Sequence, residues 1–99
     1  YDPSLLVGKG MTPASARAVL SAALTALHAV DSWTPAALEA ALRPLAEPLG
    51  LKVGQFFGTL RVAITGKTIT PPLLESMEIV GREASLRRLR QALSLVEKV

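Results

Sequence analysis

The sequence predicts an all-α protein, a compact bundle or cage of about five short helices with no sheet. Alanine and leucine dominate its 49% hydrophobic content, and both side chains lose little freedom in a helix. Aromatic residues make up only 4% of the chain, which disfavours a strand-rich architecture. Ninety-nine residues suit a single domain, so residues 1–99 are expected to share one core.

A threonine-proline pair occurs three times, each time before a helix-forming stretch: Thr12-Pro13, Thr34-Pro35 and Thr70-Pro71. A threonine hydroxyl can accept a hydrogen bond from an unpaired N–H of the first helical turn. Proline at the first helical position gives up an N–H that has no partner there. The pairs therefore predict helix starts. Neither Glu nor Gln lies three residues after any of these threonines, so no complete capping box is predicted.

Glycines mark three predicted helix ends, because glycine tolerates the left-handed conformation that stops a helix. They are Gly50, Gly66 and Gly81. Together the signals predict helices over residues 13–30, 35–49, 53–65, 71–80 and 83–98. On the first helix a polar stripe of Arg17, Ser21, Thr25 and His28 is expected to lie opposite a buried face of Leu20, Ala23, Leu24 and Leu27. On the last helix the matching apolar stripe is Leu86, Leu89, Leu93 and Val96.

The net charge of +3 is concentrated in the last predicted helix. Residues 1–81 carry six basic and six acidic side chains, whereas residues 82–99 carry five basic and two acidic ones. A solvated basic face explains most such helices. Two functional alternatives stay open: a helical protein-interaction domain with a basic C-terminal helix, and generic nucleic-acid binding through Arg87, Arg88 and Arg90.

No catalytic residue, metal site or cofactor site is predicted in this segment. The chain has no cysteine, and its only histidine, His28, precedes Asp31 in a pattern typical of a helix C-terminus and cap. Gly66-Lys67-Thr68 lacks the strand and glycine spacing of a phosphate-binding loop. No apolar run approaches the roughly 20 residues of a membrane span. We expect a cytoplasmic protein without membrane contact, and a segment of a longer chain, because the sequence starts at Tyr1.

Arg61 lies near the end of the third predicted helix, at the margin of its apolar face and just before a proline-containing loop. A planar guanidinium in such a position can stack on an unstacked base and hydrogen-bond to it, as recognition of single-stranded RNA requires. From the residues alone, the favoured interpretation is that the arginine stem only covers the apolar margin.

Four segments share the order of a known pattern: residues 54–66 read GQFFGTLRVAITG, 70–75 read TPPLLE, 80–83 read VGRE and 86–89 read LRRL. This order resembles the C-terminal anticodon-binding domain of bacterial glutamyl-tRNA synthetases, over essentially the whole chain. Two positions depart from the family pattern, since Thr59 replaces a common proline and Pro72 occupies a variable position.

The resemblance implies a helical cage that grips the anticodon loop of tRNA(Glu). It implies a parent enzyme that ligates glutamate to tRNA, with ATP and Mg bound in a separate catalytic domain, and that is monomeric. Carried over residue by residue, the resemblance identifies the expected RNA-binding residues as Arg61, Thr70, Pro71 and Leu73.

Overall fold

Five α-helices account for most of residues 1–68 and 72–99, the part of the chain that the computed structural model describes. They are α1 (Pro13–His28), α2 (Pro35–Leu42), α3 (Val53–Thr65), α4 (Leu73–Val80) and α5 (Arg82–Val96). Three 3-10 turns complete the fold, at Pro3–Leu6, Arg43–Leu45 and Glu47–Leu49. No strand occurs in these ranges, and the all-α prediction is confirmed.

Two of the three threonine-proline pairs cap helices as predicted. The Thr34 hydroxyl accepts a hydrogen bond from the Ala37 N–H at 3.3 Å, at the start of α2. At α1 the Thr12 hydroxyl accepts from the Ser15 N–H at 3.1 Å, and the Ser15 hydroxyl accepts from the Thr12 N–H at 2.9 Å. The absence of a capping box was therefore wrongly predicted here, because a serine hydroxyl replaces the usual Glu or Gln. Thr70-Pro71 lies outside the described residues.

The second helix is shorter than predicted. α2 ends at Leu42 and gives way to two 3-10 turns, instead of continuing to residue 49. Pro44 and Pro48 explain the break, because proline lacks the N–H of a helical hydrogen bond and its ring clashes with the preceding turn. Two of the three glycine stops are confirmed, since Gly66 ends α3 and Gly81 ends α4, with φ of 73° and 90°. Gly50 has φ of 72° but ends the 3-10 turn Glu47–Leu49 and not α2.

The predicted faces of α1 and α5 are confirmed in the core. On α1, Leu20, Ala23 and Leu27 are completely buried and Leu24 is partly buried against them, whereas the predicted polar stripe is exposed: Arg17, Ser21, Thr25 and His28. On α5, Leu86, Leu89 and Val96 are buried, and Leu93 is partly buried against them. α1 packs along α5, and α3 packs against both α4 and α5. In the described residues, no helix is long and apolar enough to cross a membrane.

Two long-range hydrogen bonds fix α3 and α4 in the fold. The buried Thr59 hydroxyl donates to the Leu6 carbonyl at 2.9 Å, which ties the first 3-10 turn to the middle of α3. The Trp33 indole N–H donates to the Met77 carbonyl at 2.8 Å, which ties the segment between α1 and α2 to α4. Thr59, one of the two departures from the family pattern, thus has a defined structural role.

Candidate nucleic-acid interface

Arg61 lies in the last two turns of α3, where the helix end is closely hydrogen-bonded. The Thr65 hydroxyl donates to the Arg61 carbonyl at 2.7 Å and accepts from the Lys67 N–H at 3.2 Å. Because Gly66 then adopts the left-handed conformation, α3 stops here and the chain turns toward α4. The arginine is consequently held on a rigid helix, close to the loop that leads to α4.

The Arg61 side chain lines a cleft of about 250 Å³, which we call the Arg61 cleft. The cleft is lined by residues of α2, of the 3-10 turn that follows it, of α3 and of the start of α4. Its lining residues are Glu39, Arg43, Phe57, Arg61, Pro72, Leu73, Leu74 and Glu75.

The Arg61 guanidinium has one buried hydrogen-bond donor. Its Nε atom is buried and has no hydrogen-bond partner among residues 1–68 and 72–99. A buried donor without a partner costs about 1–3 kcal/mol, so such a group calls for an explanation. The arginine is half-buried, so it is neither enclosed in the bundle nor fully solvated.

The predicted site residues fall into two groups. Arg61 and Leu73 line the same cleft, although they belong to different helices. Leu73 is 4% exposed, so it contributes an apolar wall and not a projecting side chain. Pro72, the second departure from the family pattern, also lines the cleft. Thr70 and Pro71 lie outside the described residues, and their role remains a prediction.

Arg43 is a cleft residue that the sequence analysis did not identify. Its guanidinium donates to the Glu39 carboxylate at 3.0 Å and lies 5.8 Å from the centroid of the Phe57 ring. The spacing of four residues between Glu39 and Arg43 indicates a helical ion pair in the sequence itself. The contact between Arg43 and the Phe57 ring could not be predicted from the sequence, because the two residues belong to different helical elements.

The charges of the Arg61 cleft balance. Arg43 and Arg61 face Glu39 and Glu75, so the lining offers both donors and acceptors without an excess of either sign. A nucleobase edge carries both kinds of hydrogen-bonding group, whereas a phosphate carries only acceptors. The cleft is therefore better suited to a base than to a phosphate.

The basic run of α5 divides by structural role. Arg87 and Arg90 are exposed, as expected for a solvated face. Arg88 is exposed as well, but it also donates to the Ile64 carbonyl at 2.7 Å, and so links α5 to the last turn of α3. One of the three arginines proposed for generic nucleic-acid binding therefore has a structural hydrogen bond.

Comparison with known proteins agrees with the sequence pattern. A family model described as "Anticodon binding domain" matches residues 1–93. Glutamate–tRNA ligase from Roseiflexus castenholzii is 47% identical over 96 residues, which is 97% of this chain and 19% of that protein. Glutamate–tRNA ligase from Chloroflexus aurantiacus is 46% identical over 99 residues, 100% of this chain and 20% of that protein.

A further relative, glutamate–tRNA ligase from Mycolicibacterium smegmatis, is 56% identical over 85 residues, covering 85% of this chain and 17% of that protein. The chain thus spans about one fifth of the length of the relatives it matches. Since the family model extends over nearly all of the sequence, the chain belongs to the anticodon-binding domain family found in glutamate–tRNA ligases.

Proposed function

We propose that this chain binds the anticodon loop of tRNA(Glu) and that the Arg61 cleft receives one unstacked base of that loop. Membership of an anticodon-binding family supports tRNA as the partner. The names of the relatives support a parent enzyme that ligates glutamate to tRNA, and we propose that it acts in the cytoplasm. In this proposal ATP and Mg are bound by another part of that enzyme, and this chain supplies recognition of the RNA.

The single observation that carries the proposal is that Arg61 and Leu73, which the family resemblance identifies as RNA-binding residues, line one cleft although they belong to different helices. Arginine presents five N–H donors in a planar fork, which can hydrogen-bond to a base while its face stacks on the ring. Because Nε is buried, a base in the cleft would accept hydrogen bonds from the terminal N–H groups of the guanidinium.

The size and walls of the cleft support a single base. Its volume of about 250 Å³ lies just below the roughly 300 Å³ at which sites for drug-sized ligands begin. Phe57 and Leu73 provide apolar surface for the base plane, and Glu75 can accept a hydrogen bond from an exocyclic amino group. In the proposal Thr70 and Pro71, in the loop before α4, contact the same nucleotide.

Replacement of Arg61 tests the proposal. Arg61→Ala in the complete enzyme should lower kcat/KM for tRNA aminoacylation by about 5- to 150-fold, which corresponds to about 1–3 kcal/mol for a good contact between a side chain and a base. Arg61→Lys should recover only part of the loss, because lysine lacks the planar fork.

Arg17→Ala is the matched control, since Arg17 is exposed on α1 and is not among the residues that line the Arg61 cleft. It should leave aminoacylation within about twofold of the unsubstituted enzyme. A correctly folded Arg61→Ala enzyme with the same kcat/KM as the control would refute the proposed role of the cleft.

A further inference from the structure

A second, larger cleft adjoins the Arg61 cleft and has no assigned role. Its volume is about 700 Å³, and we call it the Lys52 cleft. It is built from the two 3-10 turns after α2 and the start of α3. Its lining residues are Arg43, Pro44, Glu47, Gly50, Leu51, Lys52 and Val53.

Arg43 lines both clefts. Its guanidinium is held in place by the Glu39 carboxylate at 3.0 Å and lies over the Phe57 ring. The side chain is nevertheless 55% exposed, so it remains accessible to a ligand. A guanidinium oriented by an ion pair and an aromatic ring is a suitable platform for a base to stack on.

The two clefts differ in charge. The Arg61 cleft has two cations and two carboxylates, whereas the Lys52 cleft has Arg43 and Lys52 against the single carboxylate of Glu47. Arg43 is already paired with Glu39, whereas Lys52 makes no ion pair within residues 1–68 and 72–99, so the Lys52 ammonium is available to a phosphate group. Its volume also falls within the range of about 300–1,000 Å³ in which ligands larger than a base are held.

We propose that the Lys52 cleft is a second nucleotide-binding site, which takes the nucleotide next to the one in the Arg61 cleft. Arg43 stacks on the base of this second nucleotide, and the Lys52 ammonium pairs with its phosphate. The inference rests on the proposed function, because both clefts then hold consecutive nucleotides of one single-stranded loop.

The phosphate contact is tested by the salt dependence of RNA binding. The probe is an anticodon stem-loop RNA of tRNA(Glu) with a fluorescent end label, and anisotropy gives its Kd for the full chain at several salt concentrations. The slope of log affinity against log salt is negative, and Lys52→Gln should make it shallower by about 0.7, the value for one phosphate of a single strand. Lys98→Gln, which removes an exposed lysine far along the sequence, should leave the slope unchanged.

The stacking contact is tested with a series of stem-loops, each lacking one base of the loop. Arg43→Ala should weaken binding of the intact stem-loop by about 5- to 150-fold, the range for loss of one stacked base. It should cause no further loss with the RNA that lacks the base in contact with Arg43. Arg43→Lys keeps the charge but not the plane, and should show most of the same loss.

An arginine is coupled to a base when its replacement by alanine no longer weakens binding of the RNA that lacks this base. The same series of stem-loops with Arg61→Ala identifies the base that is coupled to Arg61. Coupling of Arg43 to a neighbouring base supports the second site. Coupling of Arg43 to the same base as Arg61, to a distant base or to none overturns it, as does an unchanged salt slope for Lys52→Gln. If Arg61→Ala alone couples to a base, the proposed function stands and this inference fails. If neither arginine couples to any base, both fail.

Discussion

The guanidinium of Arg82 lies over the indole ring of Trp33, with its central carbon 4.9 Å from the ring centroid. The same guanidinium donates to the Leu27 carbonyl at 3.2 Å and to the Val30 carbonyl. Both carbonyls lie at or just beyond the end of α1, where backbone acceptors lack helical partners. Because Trp33 itself donates to Met77 on α4, Arg82 connects the start of α5 with α1 and α4.

Arg82→Ala should therefore destabilise the fold. The loss of two hydrogen bonds from a charged group and of the contact with the ring is expected to lower the free energy of unfolding by about 2–4 kcal/mol. Urea denaturation followed by circular dichroism measures this. Arg87→Ala is the control, since Arg87 is exposed on the same helix and should change stability by less than about 0.5 kcal/mol. Equal stability of the two variants would refute the structural role of Arg82.

Local signals in the sequence predicted local structure well. The glycine stops needed only neighbouring residues, and all three have positive φ. The break in α2 was also local, since Pro44 and Pro48 could have been recognised as barriers to a longer helix. The hydrogen bonds of Arg82 could not be predicted from neighbouring residues, because their carbonyl acceptors are 52 and 55 residues away along the chain.

Thr59→Val is expected to destabilise the fold because it removes the threonine hydroxyl and changes little else. Valine has nearly the shape of threonine but cannot donate to the Leu6 carbonyl, which would remain buried without this donor. The expected loss is about 1–3 kcal/mol of unfolding free energy, measured by urea denaturation. Thr25→Val is the matched control, because the Thr25 hydroxyl donates to the Ser21 carbonyl on an exposed helix face. The hypothesis is wrong if the two substitutions have the same effect.

Two glycines around Arg61 should respond to alanine with opposite signs. Gly58 lies within α3, and a Cβ there would meet no atom within 4 Å. Gly58→Ala should raise the free energy of unfolding by about 0.5–1 kcal/mol, because alanine loses less backbone entropy in a helix. Gly66 has φ of 73°, a conformation that alanine adopts only at a cost. Gly66→Ala should therefore lower the free energy of unfolding by about 1–2 kcal/mol. Thermal unfolding of both variants checks the signs, and destabilisation by both would contradict the prediction.

The candidate site was predictable only in part. Arg61 and Leu73 came from the family resemblance, and both line the Arg61 cleft. The contact between Arg43 and Phe57 has no signal in the sequence, because it depends on where the turns after α2 lie relative to α3. A position on a helical wheel shows which side of one helix is polar. It does not show which residue of another helix lies opposite.

Replacement of the exposed arginines of α5 separates the proposed function from its alternatives. The double substitution Arg87→Ala with Arg90→Ala removes two exposed charges but leaves the hydrogen bond from Arg88 to Ile64 intact. The ratio of affinities for the tRNA(Glu) anticodon stem-loop and a stem-loop with a permuted anticodon should not change, because neither arginine lines the Arg61 cleft. Any effect should be a shallower salt dependence shared by both RNAs.

The two alternatives predict different results for the same variant. Generic nucleic-acid binding through α5 predicts that the unsubstituted chain binds both stem-loops equally, and that the double variant loses both. A protein-interaction domain with a basic C-terminal helix predicts that neither RNA competes with an acidic protein partner. Anticodon recognition predicts a preference that survives the double substitution and is lost in Arg61→Ala. Under anticodon recognition, the preference for one anticodon sequence depends on the residues of the Arg61 cleft. The total affinity for RNA depends in addition on basic side chains elsewhere on the surface.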